Sequence, residues 1–178
     1  MKIISKISVL LLTMIAVISC DKLEELADID FTQSFTETVS VNVTEESETP
    51  QSWSESSTIN IASNSMVQEY KDLIKNITIN SLEFEINGFL GVEDATISDA
   101  SMSFGETSIT LEDINLEESD TNNTVYTVSD AAQLNAIADE LQEANLITAT
   151  LSGTISGTPV KFDVIITLNI TVTANALQ

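Results

Sequence analysis

The chain has 178 residues, with 28 acidic side chains against six lysines, no arginine and no histidine, and a formal charge of −22 at pH 7. A surface of that sign repels phosphate backbones and anionic head groups, so nucleic acid is excluded as a partner and cations or basic protein surfaces are favoured. The missing histidine excludes a Ser-His-Asp triad and imidazole-ligated zinc, and the 43% of apolar residues is enough to bury a core despite the acidity.

Lys2 and Lys6 precede an apolar run over residues 7–18 that is broken only by Ser8 and Thr13. Spanning a bilayer takes roughly 20 apolar residues, so this run predicts the core of a signal peptide and not a membrane helix. It ends in Val17, Ile18, Ser19 and Cys20, which resembles the lipobox of bacterial lipoproteins. The resemblance implies cleavage before Cys20, a thioether-linked diacylglycerol on its sulfur and an amide-linked third chain. Two or more acyl chains hold a protein stably on a membrane. Removal of residues 1–19 takes two lysines and no acid, leaving 28 acids against four lysines, or −24. No other cysteine remains for thiol chemistry.

Residues 20–29 form an acidic tether. Glu24 and Glu25 with Lys22 resemble the short acidic signal behind the cysteine of surface lipoproteins of the Bacteroidota, which implies an outer-membrane protein exposed at the cell surface. Asp21, directly after the cysteine, resembles instead the inner-membrane retention signal of enterobacteria.

From residue 30 a single β-rich domain is expected to run to residue 178. Phe31, Phe35, Val39, Val41 and Val43 share one parity, which predicts a half-buried strand. Residues 44–58 turn polar around Pro50 and predict a loop, followed by a short strand over 58–62. Ser63, Asn64 and Ser65 offer N-caps for a helix over 66–75. A strand over 77–86 switches apolar parity between Ile79 and Leu82, which predicts a bulge near residues 80–81. Asn87-Gly88 is a hairpin-turn dipeptide. Strands are expected over 96–104, 107–116 and 125–128, with an acidic loop over 117–124. Ser129 or Asp130 caps a helix over 131–144, with Leu134, Ile137, Ala138 and Leu141 on one face. The last third is a hairpin of strands 148–156 and 160–174. In its second strand Val160, Phe162, Val164, Ile166, Leu168, Ile170, Val172 and Ala174 hold one parity, and Ile165 is the apolar exception on the other. The pattern predicts a mainly β chain: an antiparallel β-sandwich, immunoglobulin-like or jelly-roll-like, with two short helices. The alternative is an α+β fold, an open antiparallel sheet covered by two helices.

The residues that could carry chemistry are few. Acidic pairs such as Glu83 with Glu85, Glu93 with Asp94 and Glu112 with Asp113 could in principle act on a glycosidic bond. With 28 acids such pairs arise by chance, and Glu83 and Glu85 alternate with Leu82, Phe84 and Ile86 as a solvated strand face does. Calcium takes six to eight oxygen ligands, and Glu117, Glu118, Asp120 and Asn122 gather such oxygens in one stretch. Trp53, amid serines and glutamates, could stack on a sugar ring or fold back over an open end of the sandwich. The expectation is a non-enzymatic, lipid-anchored envelope protein with a binding or adhesion role towards protein or glycan, with calcium the one cofactor the residues suggest. The alternative is a periplasm-facing structural or assembly subunit.

Overall fold

The computed structural model describes residues 28–176; the signal peptide, residues 17–20 of the lipobox and the tether through residue 27 lie outside them. Strand β1 (Asp28–Ser47) is followed after a three-residue turn by β2 (Gln51–Asn60). Helix α1 (Ser65–Tyr70) lies between two short 3-10 turns, and β3 (Ile74–Gly91) and β4 (Thr96–Phe104) follow. Next come β5 (Thr107–Thr110), β6 (Ile114–Asn115), α2 (Leu116–Thr121), β7 (Val125–Val128) and α3 (Ala131–Ala144). Strands β8 (Leu146–Ile155) and β9 (Thr158–Asn175) complete the chain.

One sheet has the order β1-β9-β3-β7, and the other runs β2-β8-β4-β5 with β6 also paired to β4. Every pairing is antiparallel. Matched end to end, the two orders set β1 with β2, β9 with β8, β3 with β4 and β7 with β5. That interleaving is the double Greek key of a jelly roll. The chain is therefore a β-sandwich of the jelly-roll kind; the open-sheet alternative fails because two sheets enclose one core. Among the described residues three short helices, not two, accompany them.

The core follows from period-two alternation. All eight even-numbered apolar residues from Val160 to Ala174 are buried, while the intervening Thr, Asn and Asp positions face outward. Their partners on β1 are Val43, Val41, Val39, Phe35 and Phe31, each opposite an inward residue of β9. On β3 the register shifts between Ile79 and Ser81, so that Ile77 and Ile79 point inward before the bulge and Leu82, Phe84 and Ile86 after it. A similar shift between Ser98 and Ser101, with Asp99 at φ 49°, keeps Ile97, Ala100, Met102 and Phe104 all inside.

Several expected boundaries change. The polar segment 44–58 is not a loop: β1 runs to Ser47 and β2 begins at Gln51. Edge strand β2 pairs with β8 alone and shows much of its length to water, so its serines and glutamates fit a strand there. Asn87-Gly88 closes no hairpin; β3 continues to Gly91 with a bulge between Asn87 and Leu90 and Gly88 at φ 67°. Helix α1 ends at Tyr70, capped by the Asn64 side chain, and Lys75 stands in β3, where it pairs with Asp28 at 2.7 Å. The expected strand over 107–116 divides into β5 and β6 and yields to α2 at Leu116.

The outer edge of β3 is shared among three partners. Strand β7 pairs with residues 82–85. Towards the chain ends, Gln142 of α3 accepts from the Ile77 N–H and donates to the Lys75 carbonyl. Beyond β7, the Asp120 carboxylate of α2 accepts from the Gly88 and Phe89 N–H groups at 2.9 and 3.0 Å. The β3 edge is thus capped along most of its length, and β7 is left as the outermost strand of its sheet.

Candidate functional site

Trp53 lies opposite Gly153 of β8. Its ring turns inward and meets Phe162 edge-on at 5.9 Å and 84°, and its Nε1 is buried without a hydrogen-bond partner. The indole thus takes the second of the two orientations expected for it, folded back against the sandwich. Trp53 shares parity with the inward Ile59, which was the sequence signal for this orientation.

The proposed calcium ligands do not converge either. Glu117, Glu118 and Asp120 lie on α2, a helix capped by the Asn115 side chain accepting from the Glu118 N–H. The helical turn spreads the carboxylates around its axis and directs Asp120 to the β3 bulge. Asn122 forms the C-cap, its N–H bonded to the Glu118 and Asp120 carbonyls. Among the described residues no three Asp or Glu side chains gather as a metal site. The signal overlooked was Asn115-x-x-Glu118, a cap with an acidic residue at the third helical position. Glu93 and Asp94 sit exposed in the turn between β3 and β4, with Asp94 at φ 57°. Glu83 and Glu85 lie on the outer face of the sheet, opposite Thr127 and Val125.

The third acidic pair stands differently. Between the edge of β7 and the segment joining β5 to β6, the sandwich opens into a cleft of about 350 Å³. Its inner wall is apolar. Phe84 and Tyr126 stack at 4.8 Å and 12°, beside Ile109, Ile114 and Val128. The Tyr126 hydroxyl bonds Ser119 of α2 at 3.2 Å, which fixes the ring against that wall. Glu112 and Asp113 line the opposite side and are exposed. Neither makes a side-chain hydrogen bond or ion pair among the described residues, whose one salt bridge is Lys75 with Asp28. Asp130 also borders the cleft, but one of its carboxylate oxygens caps α3 by accepting from the Ala132 and Gln133 N–H groups.

The cleft thus joins an aromatic wall, two carboxylates without a cation and the free edge of a strand. It offers a seat to a group with an apolar stem and a positive head. Both carboxylates are open to water.

No family model matches the chain, and no curated protein matches it. Among solved structures, a structure of desmodium yellow mottle tymovirus aligns with 84% of this chain and 85% of its own, at 13% identity and a TM-score of 0.34. One of tobacco necrosis virus covers 81% and 95%, at 11% identity and a TM-score of 0.32. One of turnip yellow mosaic virus covers 84% and 97%, at 9% identity and a TM-score of 0.30. The class of this chain, a jelly-roll β-sandwich, rests on its own strand order.

Proposed function

We propose that this chain is a lipid-anchored outer-membrane protein, exposed at the cell surface, with a non-enzymatic role in binding a cationic partner. The observation that carries the reading is the cleft, where Glu112 and Asp113 stand without a cation opposite the stacked Phe84 and Tyr126. The anchor rests on the lipobox at residues 17–20. Its geometry suits this role. Strand β1 starts beside the end of β9, with Asp28 opposite Asn175. A lipid on Cys20 would hold that end of the sandwich to the membrane. Thr38, Ile165, Glu85 and Val125 form one row across the sheet to the cleft edge, and Thr38 is ten residues along β1, about 33 Å from Asp28 at 3.3 Å per residue. The tether would raise the cleft further.

The test is binding of oligolysine to the purified mature protein, followed by calorimetry at physiological salt. Binding that weakens at least about tenfold in Glu112→Gln/Asp113→Asn supports the reading. Equal binding by that variant overturns it, since the charge would then act from the whole surface. The alternative, a structural or assembly subunit, draws on Leu90 and Val125, which are 68% and 54% exposed. Val125 shares its row with outward-facing Ile165.

A further inference from the structure

We propose that the partner binds as an extended, lysine-bearing segment of another protein, which adds to the jelly roll as a fifth strand beside β7. This rests on the cleft as a cation-binding site and specifies how the cation is delivered.

Strand β7 pairs with β3 on one side and ends its sheet on the other. Alternate N–H and C=O groups of an edge strand point away from the sheet and can pair with an incoming chain. The remaining backbone bonds outside the strand ladders include none from residues 125–128, so this edge is open. The free edge of β2 does not border the cleft, and the edges of β1 and β5 are partly engaged. Side chains bridge the free side of β1, Ser57 bonding to Glu37 and Asn64 to Gln33. The Gln133 side chain of α3 occupies the Ser108 carbonyl of β5.

A strand laid beside β7 at the usual spacing of about 4.8 Å would project every second side chain into the gap between the sheets, on the face of Tyr126 and Val128. That gap is the cleft. A lysine there would lay its aliphatic stem along the Tyr126–Phe84 wall and carry its ammonium to Glu112 and Asp113. Intervening residues would lie beside Val125 and Thr127 on the outer face, where β-branched side chains fit. The segment that matches alternates Lys with Val or Thr. A second copy of this chain fits poorly, because it carries the same strong negative charge and its lysines at positions 2, 6, 22, 71, 75 and 161 are never closer than four residues apart. The occupant is therefore a different, basic protein.

The experiment compares two short synthetic peptides of alternating Lys and Val, one of them N-methylated on every backbone amide so that neither of its edges can donate. Both carry the same charge, and only the first can complete a strand pairing. Binding to the full mature chain is measured by calorimetry, and amide hydrogen exchange is followed over residues 125–128. The expected result is binding of the unmethylated peptide at least about tenfold tighter than its methylated twin, with slowed exchange at residues 125–128. Equal binding of both peptides, weakened alike by Glu112→Gln/Asp113→Asn, overturns the strand pairing and leaves the cleft reading standing. Failure of both peptides to bind overturns the cleft reading together with this one.

Discussion

Replacing Asp120 by alanine removes the acceptor for two backbone N–H groups at once. Its two oxygens take the Gly88 and Phe89 amides at 2.9 and 3.0 Å, across the bulge that β3 makes before Gly91. Hydrogen bonds to a charged group contribute about 1.5–3 kcal/mol each. The Gly88 bond is open to water and the Phe89 bond only partly buried, which argues for the lower end of the range. Asp120→Ala is therefore expected to cost about 3 kcal/mol, equivalent to a fall in Tm of about 6–12 °C for a chain of this size. Asp120→Asn keeps one acceptor oxygen but turns an NH2 towards the second amide, so it should recover less than half of the loss. Both are measured by urea denaturation in EDTA, with exposed Glu117→Gln as a control expected within about 0.5 kcal/mol of the parent. If both Asp120 variants stay within that margin, the carboxylate does not hold the bulge and the account of α2 is wrong.

Trp53→Phe keeps the aromatic contact with Phe162 and deletes a buried N–H that lacks an acceptor, so it should lie within about 1 kcal/mol of the parent, while Trp53→Ala loses about 3. Equal losses in urea denaturation would mean that the indole N–H has a partner. Calcium should raise Tm no more than the same concentration of magnesium, because Glu117, Glu118, Asp120 and Asn122 are spread by α2; a calcium-specific rise in a thermal scan would restore the site. Gly91→Ala places a Cβ 2.7 Å from the Pro159 carbonyl oxygen and 2.9 Å from Val160 Cγ1, and a clear drop in Tm should follow. Unchanged stability would mean that β3 and β9 separate at that end at little cost. Protease added to intact cells should digest the domain while a periplasmic control survives; protection would favour the periplasm-facing subunit.

The sequence resolved those elements whose local preference and burial agree. The inward parity of the last strand holds without a break because β9 is paired on both sides and buried on one face. Helix α3 carries its own cap, Asp130, and its own apolar stripe, Ile137, Ala138 and Leu141, so 131–144 was readable to the residue. The bulge at 79–81 was visible because it reverses parity. The first seven residues of β2 were missed because one free edge and a wet face let Ser and Glu fill them. Asn87-Gly88 misled because a left-handed glycine serves a bulge as well as a hairpin, and the partners that hold the bulge, Asp120 and strand β9, lie far away in sequence. The cleft was not legible. Its walls come from β3, from residues 109–114 and from residues 126–133, and periodicity reports which face of a strand is buried but not which strands become neighbours. Glu112 and Asp113 could be noticed only as one acidic pair among several.

The proposed place of action turns on Cys20, since a lipid there would decide where the cleft is displayed. The direct test is mass analysis of the N-terminal peptide of the protein purified from the membranes of its own cells. A peptide beginning at Cys20 that carries diacylglycerol and a third acyl chain is the predicted result, with Cys20→Ala recovered in the soluble fraction. An unmodified Cys20, or a mature chain that begins elsewhere, would contradict the anchor and with it the proposed place of action.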